Sequence, residues 1–288
     1  LLVVGILATN AWGASRISRA LGARGAGVWL AAVLGLLHPF ALFEIENGRP
    51  TQAMLVFPAL YLATLLRPPV RGSGVWGGIF LALAGLTYWY YGLVGALIGA
   101  VLWLVGLSRR ERVAETRRVM TTAIVAALCV APFVLPMVLK LADGGVPGLL
   151  ALADVPGPLG RLRLFTEEGD PQGLFIMDVT GRLAALLDRG GLRIETGVQV
   201  VGPLALTLAV LGALRGGPRA RGALVALLVT LVVAAGPLFV FNQDYLANPP
   251  YLFLVERWDV LRRWWWPGRA LGFSLLLVAG LAGRVVGP

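Results

Sequence analysis

The chain has 288 residues, 58% of them hydrophobic and only 14% charged, with a net charge of +10. Soluble domains carry roughly 25% charged residues, so the composition argues against a water-soluble globule and for lipid as the main solvent. The positive charge does not call for nucleic acid, because membrane proteins collect basic residues in their cytoplasmic loops.

Nine apolar segments approach the roughly 20 residues that a membrane helix needs. They cover about 1–15, 25–42, 51–66, 74–89, 91–107, 119–139, 197–214, 222–241 and 268–285. The first, "LLVVGILATNAWGAS", has no basic n-region or cleavage site and is not read as a signal peptide. It opens inside an apolar run, so the chain reads as part of a longer polytopic protein. The expected fold is all-α, a polytopic transmembrane helix bundle. Residues 1–140 hold about six spans and 197–288 about three. Between them, 141–196 forms an outward loop region with a short amphipathic helix at "GRLAALLDRG" (181–190). The single cysteine, Cys129, lies in an apolar run and leaves no intrachain disulfide or Cys-based metal site.

Breakers punctuate the gaps: Gly48-Arg49-Pro50, Arg67-Pro68-Pro69, Gly216-Gly217-Pro218 and Pro249-Pro250. Alternate loops then fall into two classes. One class holds 14 basic residues and two acids, Glu111 and Glu115, a net of +12. The other holds 11 basic residues and 13 acids, a net of −2. The basic side is read as cytoplasmic, which turns 38–50, 141–196 and 242–267 outward. There the loops carry the candidate chemistry.

In "HPFALFEIENGRP" (38–50), Glu44 and Glu46 would share a face on an extended segment and diverge by about 200° on a helix. Gly48 and Pro50 point to a turn. Two carboxylates beside Arg49 could bind a cation, a sugar hydroxyl or a phosphate; the plainer alternative is a solvated loop with Arg49 neutralising one acid. His38, before a proline at a helix end, reads as structural. In "TYWYYG" (87–92), Tyr88 and Tyr90 are an interfacial belt or a stacking platform for sugar rings. In "ERWDVLRRWWWPGRA" (256–270), Arg257, Arg262, Arg263 and Arg269 crowd among Trp258 and Trp264–Trp266. Guanidinium groups there suit a phosphate or pyrophosphate through bidentate bonds; the alternative is anchoring by snorkelling arginines. Pro267 fits the first position of a helix.

P-loop, GxGxxG, HExxH, GxSxG and Cys/His metal motifs are missing. The spans are read as free of buried charge, with carboxylates only at span ends or in loops. That pattern argues against a pump or ion-coupled transporter and for surface chemistry or lipid-linked substrates.

The block "SRISRALGARGAGVWLAAVLGLLHPFALFEIENGRPTQAMLVFPALYLATLLR" (15–67) resembles one found in bacterial GT-C-type membrane glycosyltransferases and the related YfhO-like membrane proteins. Arg19, Pro39, Gly48 and Arg67 carry the likeness. "LTYWYYGLVGAL" (86–97) resembles the next outward turn. "RRWWWPGRALGFSLLLVAGLAG" (262–283) resembles an Arg-x-Pro-x-Arg entry to a later span through Pro267 and Arg269, with Arg262 or Arg263 upstream. The triple Trp departs from the usual spacing. The resemblance implies a polyprenyl-phosphate sugar donor, inverting transfer to a cell-envelope acceptor on the outer face of the bacterial cytoplasmic membrane, and often a divalent metal such as Mg or Mn. It also implies a catalytic Asp in the first outward loop. The chain reads as starting after that loop, so no residue inherits the role. The substrate-binding candidates are Glu44, Glu46, Arg49, Tyr88, Tyr90, Arg263 and Arg269. Alternatives are a non-catalytic relative that handles lipid-linked glycans, or a transporter of a lipid or small molecule.

Overall fold

The computed structural model describes residues 1–107, 111–142, 203–234, 238–241, 244–257 and 267–287. The expected amphipathic helix at 181–190 and the loop from 143 to 196 lie outside the described residues. So do Arg262, Arg263 and the neighbouring tryptophans.

The described chain is helical. Eight helices run in order through the first part: α1 (Leu2–Ala20), α2 (Gly25–Leu36), α3 (Pro39–Glu46), α4 (Pro50–Ala53), α5 (Val56–Leu66), α6 (Ser73–Thr87), α7 (Trp89–Gly106) and α8 (Arg112–Ala142). Then come α9 (Pro203–Arg215), α10 (Pro218–Ala234), α11 (Pro249–Arg257) and, after a 3₁₀ turn at Pro267–Ala270, α12 (Leu271–Val286). A short antiparallel hairpin pairs β1 (Leu238–Phe241) with β2 (Asp244–Ala247), Leu238 opposite Ala247.

Among the described residues, four segments are long and apolar enough to cross a membrane: Ala26–Glu46, Trp89–Gly106, Arg112–Pro136 and Gly268–Val286. They overlap four of the nine expected spans. Pro50–Leu66, Ser73–Thr87 and Leu204–Arg215 are apolar but shorter. At 1.5 Å per residue, the 15 residues of α6 reach only about 22 Å, short of a hydrocarbon core of about 30 Å. The expected segment 222–241 is corrected: its helix ends at Ala234, and Leu238–Phe241 is a strand. Helix α1 also runs past residue 15, carrying Arg16 and Arg19 within it.

The chain divides into two compact units, Leu1–Pro132 with Val201–Thr230 and Ala270–Pro288, and Phe133–Val200 with Leu231–Arg269. In the first unit, α12 is the central helix. It is buried on all sides from Leu271 to Gly283, as suits a helix that is apolar all round, and it packs on α1, α2 and α9. Small residues let the backbones approach. A Cβ on Gly283 would lie 2.5 Å from the Gly27 carbonyl oxygen on α2. Helix α1 packs on α2 and α5, and α5, α6 and α7 follow in sequence.

All five basic loops meet at one end of this unit. Arg118 donates to the Arg67 carbonyl at 2.8 Å, Arg284 to the Gly22 carbonyl at 2.9 Å, and Arg219 pairs with Glu111 at 2.5 Å. Arg16 and Arg19 act on Arg67 through their charge. The described basic residues of these loops therefore share one end of the first unit.

In the second unit, the hairpin leads into α11. Asn248, buried between them, donates to the Val232 carbonyl at 2.8 Å and accepts from the Tyr251 backbone N–H at 3.4 Å.

Candidate functional site

The stretch 38–50 is a helix capped at both ends, not an open turn. His38 is the N-cap of α3, with Pro39 in the first helical position, where its missing N–H and fixed φ cost nothing. The His38 Nδ1 accepts from the Ala41 N–H at 3.4 Å, and its Nε2 lies 3.3 Å from the Gly272 carbonyl oxygen. Both contacts are satisfied by one neutral tautomer, with the proton on Nε2. His38 is fully buried and T-shaped against Phe40, so the structural reading of this residue fits its surroundings.

At the other end, Gly48 sits in the left-handed region at φ 71°. Its N–H donates to the Ile45 carbonyl at 3.0 Å, and the Arg49 N–H donates to the Glu44 carbonyl at 2.8 Å. This is the Schellman arrangement, which glycine alone enters without strain. It turns the chain back so that the Arg49 guanidinium lies 3.8 Å from the Glu44 carboxylate. The Glu44 side chain is fully buried and that of Arg49 is 33% exposed. Because 44–46 is helical, Glu46 points elsewhere and is exposed. The two carboxylates do not share a face.

Tyr88, between α6 and α7, joins this pair. Burial first, then neighbouring Tyr90, pushes its phenol above the ordinary range, while the Arg49 charge acts in the opposite direction. The phenol stays a donor at neutral pH. Tyr88 packs on Tyr90 (centroids 5.1 Å apart) and edge-on against Tyr91 (5.3 Å). Tyr91 in turn meets Phe273 edge-on at 6.0 Å, and its hydroxyl donates to the Gln52 carbonyl. Tyr90 and Tyr91 are buried, leaving half-buried Tyr88 and exposed Trp89 to meet a ligand. Glu44, Arg49, Tyr88 and Tyr90 are thus brought together, and Glu46 stands apart. Arg269 is buried at the start of the last helix and belongs to the second unit. Arg263 lies outside the described residues.

Three polar groups escaped the sequence reading. Asn10 on α1 is fully buried and clasps the α4–α5 junction, donating to the Ala53 carbonyl at 2.8 Å and accepting from the Leu55 N–H at 2.9 Å. An Asn inside an apolar run was the available signal. Glu115 and Arg118 form a buried ion pair in the first turns of α8. The carboxylates lie at span ends, as expected, but Glu44, Glu115 and Arg118 are buried there rather than solvated. Each lies near a span end and has an oppositely charged partner, which is how such charges are tolerated.

Among the described residues, no three His, Cys, Asp or Glu side chains gather to hold a metal ion. Glu44 faces a guanidinium rather than another carboxylate. These residues do not fit the divalent ion that the family resemblance implies, which needs several oxygen ligands, and no step is assigned to one. Comparison with family models, curated proteins and solved structures finds no match to the chain.

Proposed function

We propose that the chain is part of a GT-C-type membrane glycosyltransferase. In this reading it transfers a sugar from a polyprenyl-phosphate donor to a cell-envelope acceptor on the outer face of the bacterial cytoplasmic membrane. The observation that carries the reading is the Glu44–Arg49 pair beside Tyr88, at the end of the helices opposite the basic loops. The Arg49 side chain is one-third exposed, and a guanidinium at such a surface suits phosphate oxygens. A phenol held as a donor, next to the exposed Trp89 ring, suits a sugar with its hydroxyls and C–H faces.

Within this function Glu44 positions Arg49. Its carboxylate is buried 3.8 Å from that guanidinium, which suits it to hold Arg49 in place. The developing charge on the leaving lipid phosphate would be met by Arg49.

A transporter reading draws on the break in the Ala26–Glu46 span at His38, since discontinuous helices hold substrates in many transporters. Here the opened N-terminus of α3 is filled by its own His38 cap, which leaves it less able to bind an anion. The enzyme reading is preferred on that ground. Binding of a polyprenyl-phosphate hexose to the protein in nanodiscs tests it. Loss of one charge-assisted contact, at about 1.5–3 kcal/mol, is about tenfold or more in affinity, so Arg49→Ala is expected to weaken binding by that factor. Unchanged affinity and unchanged sugar release would overturn the reading.

A further inference from the structure

A second site opens at the basic end of the first unit, away from the Glu44–Arg49 pair. A groove of about 650 Å³ runs between α1 and α2, lined by Trp12, Ser15, Arg19, Arg24, Val28 and Trp29 among others. Its walls are largely apolar and exposed. Trp29 is 74% exposed and Trp12 is 47% exposed, and the Arg16 guanidinium stands over the Trp12 ring at 5.6 Å. In a bilayer these rings would meet acyl chains and their polar tips the headgroup region.

The mouth of the groove is electrostatically one-sided. Arg19 and Arg24 line it, Arg16 stands beside it, and Arg67 lies close to Arg16 and Arg19. Partial burial, then the like charges of Arg16 and Arg19, pulls the Arg67 guanidinium below its usual range. Elsewhere at this end the acids are already committed, Glu111 to Arg219 and Glu115 to Arg118. Among the described residues, no carboxylate pairs with Arg16, Arg19, Arg24 or Arg67. Clustered guanidinium groups repel one another unless an anion bridges them, and a phosphate accepts from several at once.

We propose that the α1–α2 groove binds an anionic phospholipid, with one acyl chain along Trp12 and Trp29 and the headgroup phosphate held by Arg16, Arg19 and Arg24. A second copy of the chain would bring the same positive charge to this face, and a soluble anion would leave the apolar wall uncovered. The inference rests on membrane insertion alone, not on the chemistry proposed for the opposite end, and either can fail without the other.

The test uses the whole chain in phosphatidylcholine nanodiscs doped with brominated lipid, which quenches tryptophan on contact. The Trp29 share of the signal is the difference between the protein and Trp29→Phe. Brominated phosphatidylglycerol is expected to quench that share at about tenfold lower mole fraction than brominated phosphatidylcholine, because the arginines at the groove mouth attract anionic headgroups. Arg19→Gln with Arg24→Gln is expected to erase the preference. Arg71→Gln with Arg221→Gln, which removes the same charge elsewhere, is expected to keep it. Equal quenching by the two lipids in the unaltered protein overturns the proposal. So does a preference that survives Arg19→Gln/Arg24→Gln, or one that falls equally in both variants. Displacement of the brominated lipid by inorganic phosphate would assign the site to free anions and also overturn it.

Discussion

Arg118 closes the end of a neighbouring helix, and its removal is expected to be among the most damaging single changes in the first unit. Helix α5 ends at Leu66, so its last carbonyls lack intrahelical donors. The Arg118 guanidinium supplies them. It donates to the carbonyls of Thr64 at 2.9 Å, Leu65 at 2.8 Å and Arg67 at 2.8 Å, and it pairs with Glu115. Both side chains of that pair are 5% exposed. Arg118→Met fills similar space but leaves Glu115 buried without its cation. Breaking a buried pair from one side costs about 3–5 kcal/mol. Arg118→Lys keeps the charge, yet a single ammonium cannot span three carbonyls and a carboxylate, so a loss of about 1.5–3 kcal/mol follows. Arg118→Met with Glu115→Leu removes both charges and is expected to recover at least about 1 kcal/mol relative to Arg118→Met alone. Reversible unfolding in mixed micelles, followed by helical circular dichroism, measures all three. An Arg118→Met protein within about 1 kcal/mol of the parent, or a double variant worse than the single one, would refute the capping argument.

Three further outcomes are expected. Asn10→Leu strands the Ala53 carbonyl and the Leu55 N–H in a dry junction and should destabilise the protein by about 1–3 kcal/mol in the same assay; a neutral result would mean that the junction reorganises. Gly283→Val drives two branches into the α2 backbone at Gly27, so the variant should become protease-sensitive in membranes where Gly217→Val, at an open position, does not. In a Cys129→Ala background, an impermeant maleimide added to intact cells should label Glu46→Cys and spare Arg71→Cys, both exposed positions; labelling of both from one side would contradict the crossing between them.

Much of the helical layout was readable along the chain, because the signals are local. Apolar runs of near-membrane length reported the long helices, and Gly-Pro breakers reported where most of them stop. The capped helix α3 is written within thirteen residues: His-Pro opens it and Asn-Gly closes it. The expectation of a turn there came from weighing Gly48 and Pro50 over the helical run between Pro39 and Glu46. The segment 222–241 misled for the opposite reason. An apolar stretch such as Leu238–Phe241 suits a buried helix or a strand equally, and periodicity cannot separate them.

The sequence by itself determined the apolar composition that suits a membrane, the helical class and the division of the loops into a basic and an acidic set. Composition, span length and loop charge depend on no contact with distant residues. Only the tertiary structure decided that Glu44 is buried while Glu46, two residues on, meets solvent, and that Tyr88 rather than Tyr90 stays open. It alone brought Asn10 to Ala53 and Arg118 to Thr64, and set Arg16, Arg19 and Arg67 together with no carboxylate pairing them among the described residues. Burial is set by which helices become neighbours across 40 residues or more of chain, as with Asn10 and Ala53, and no local pattern of side chains encodes that choice.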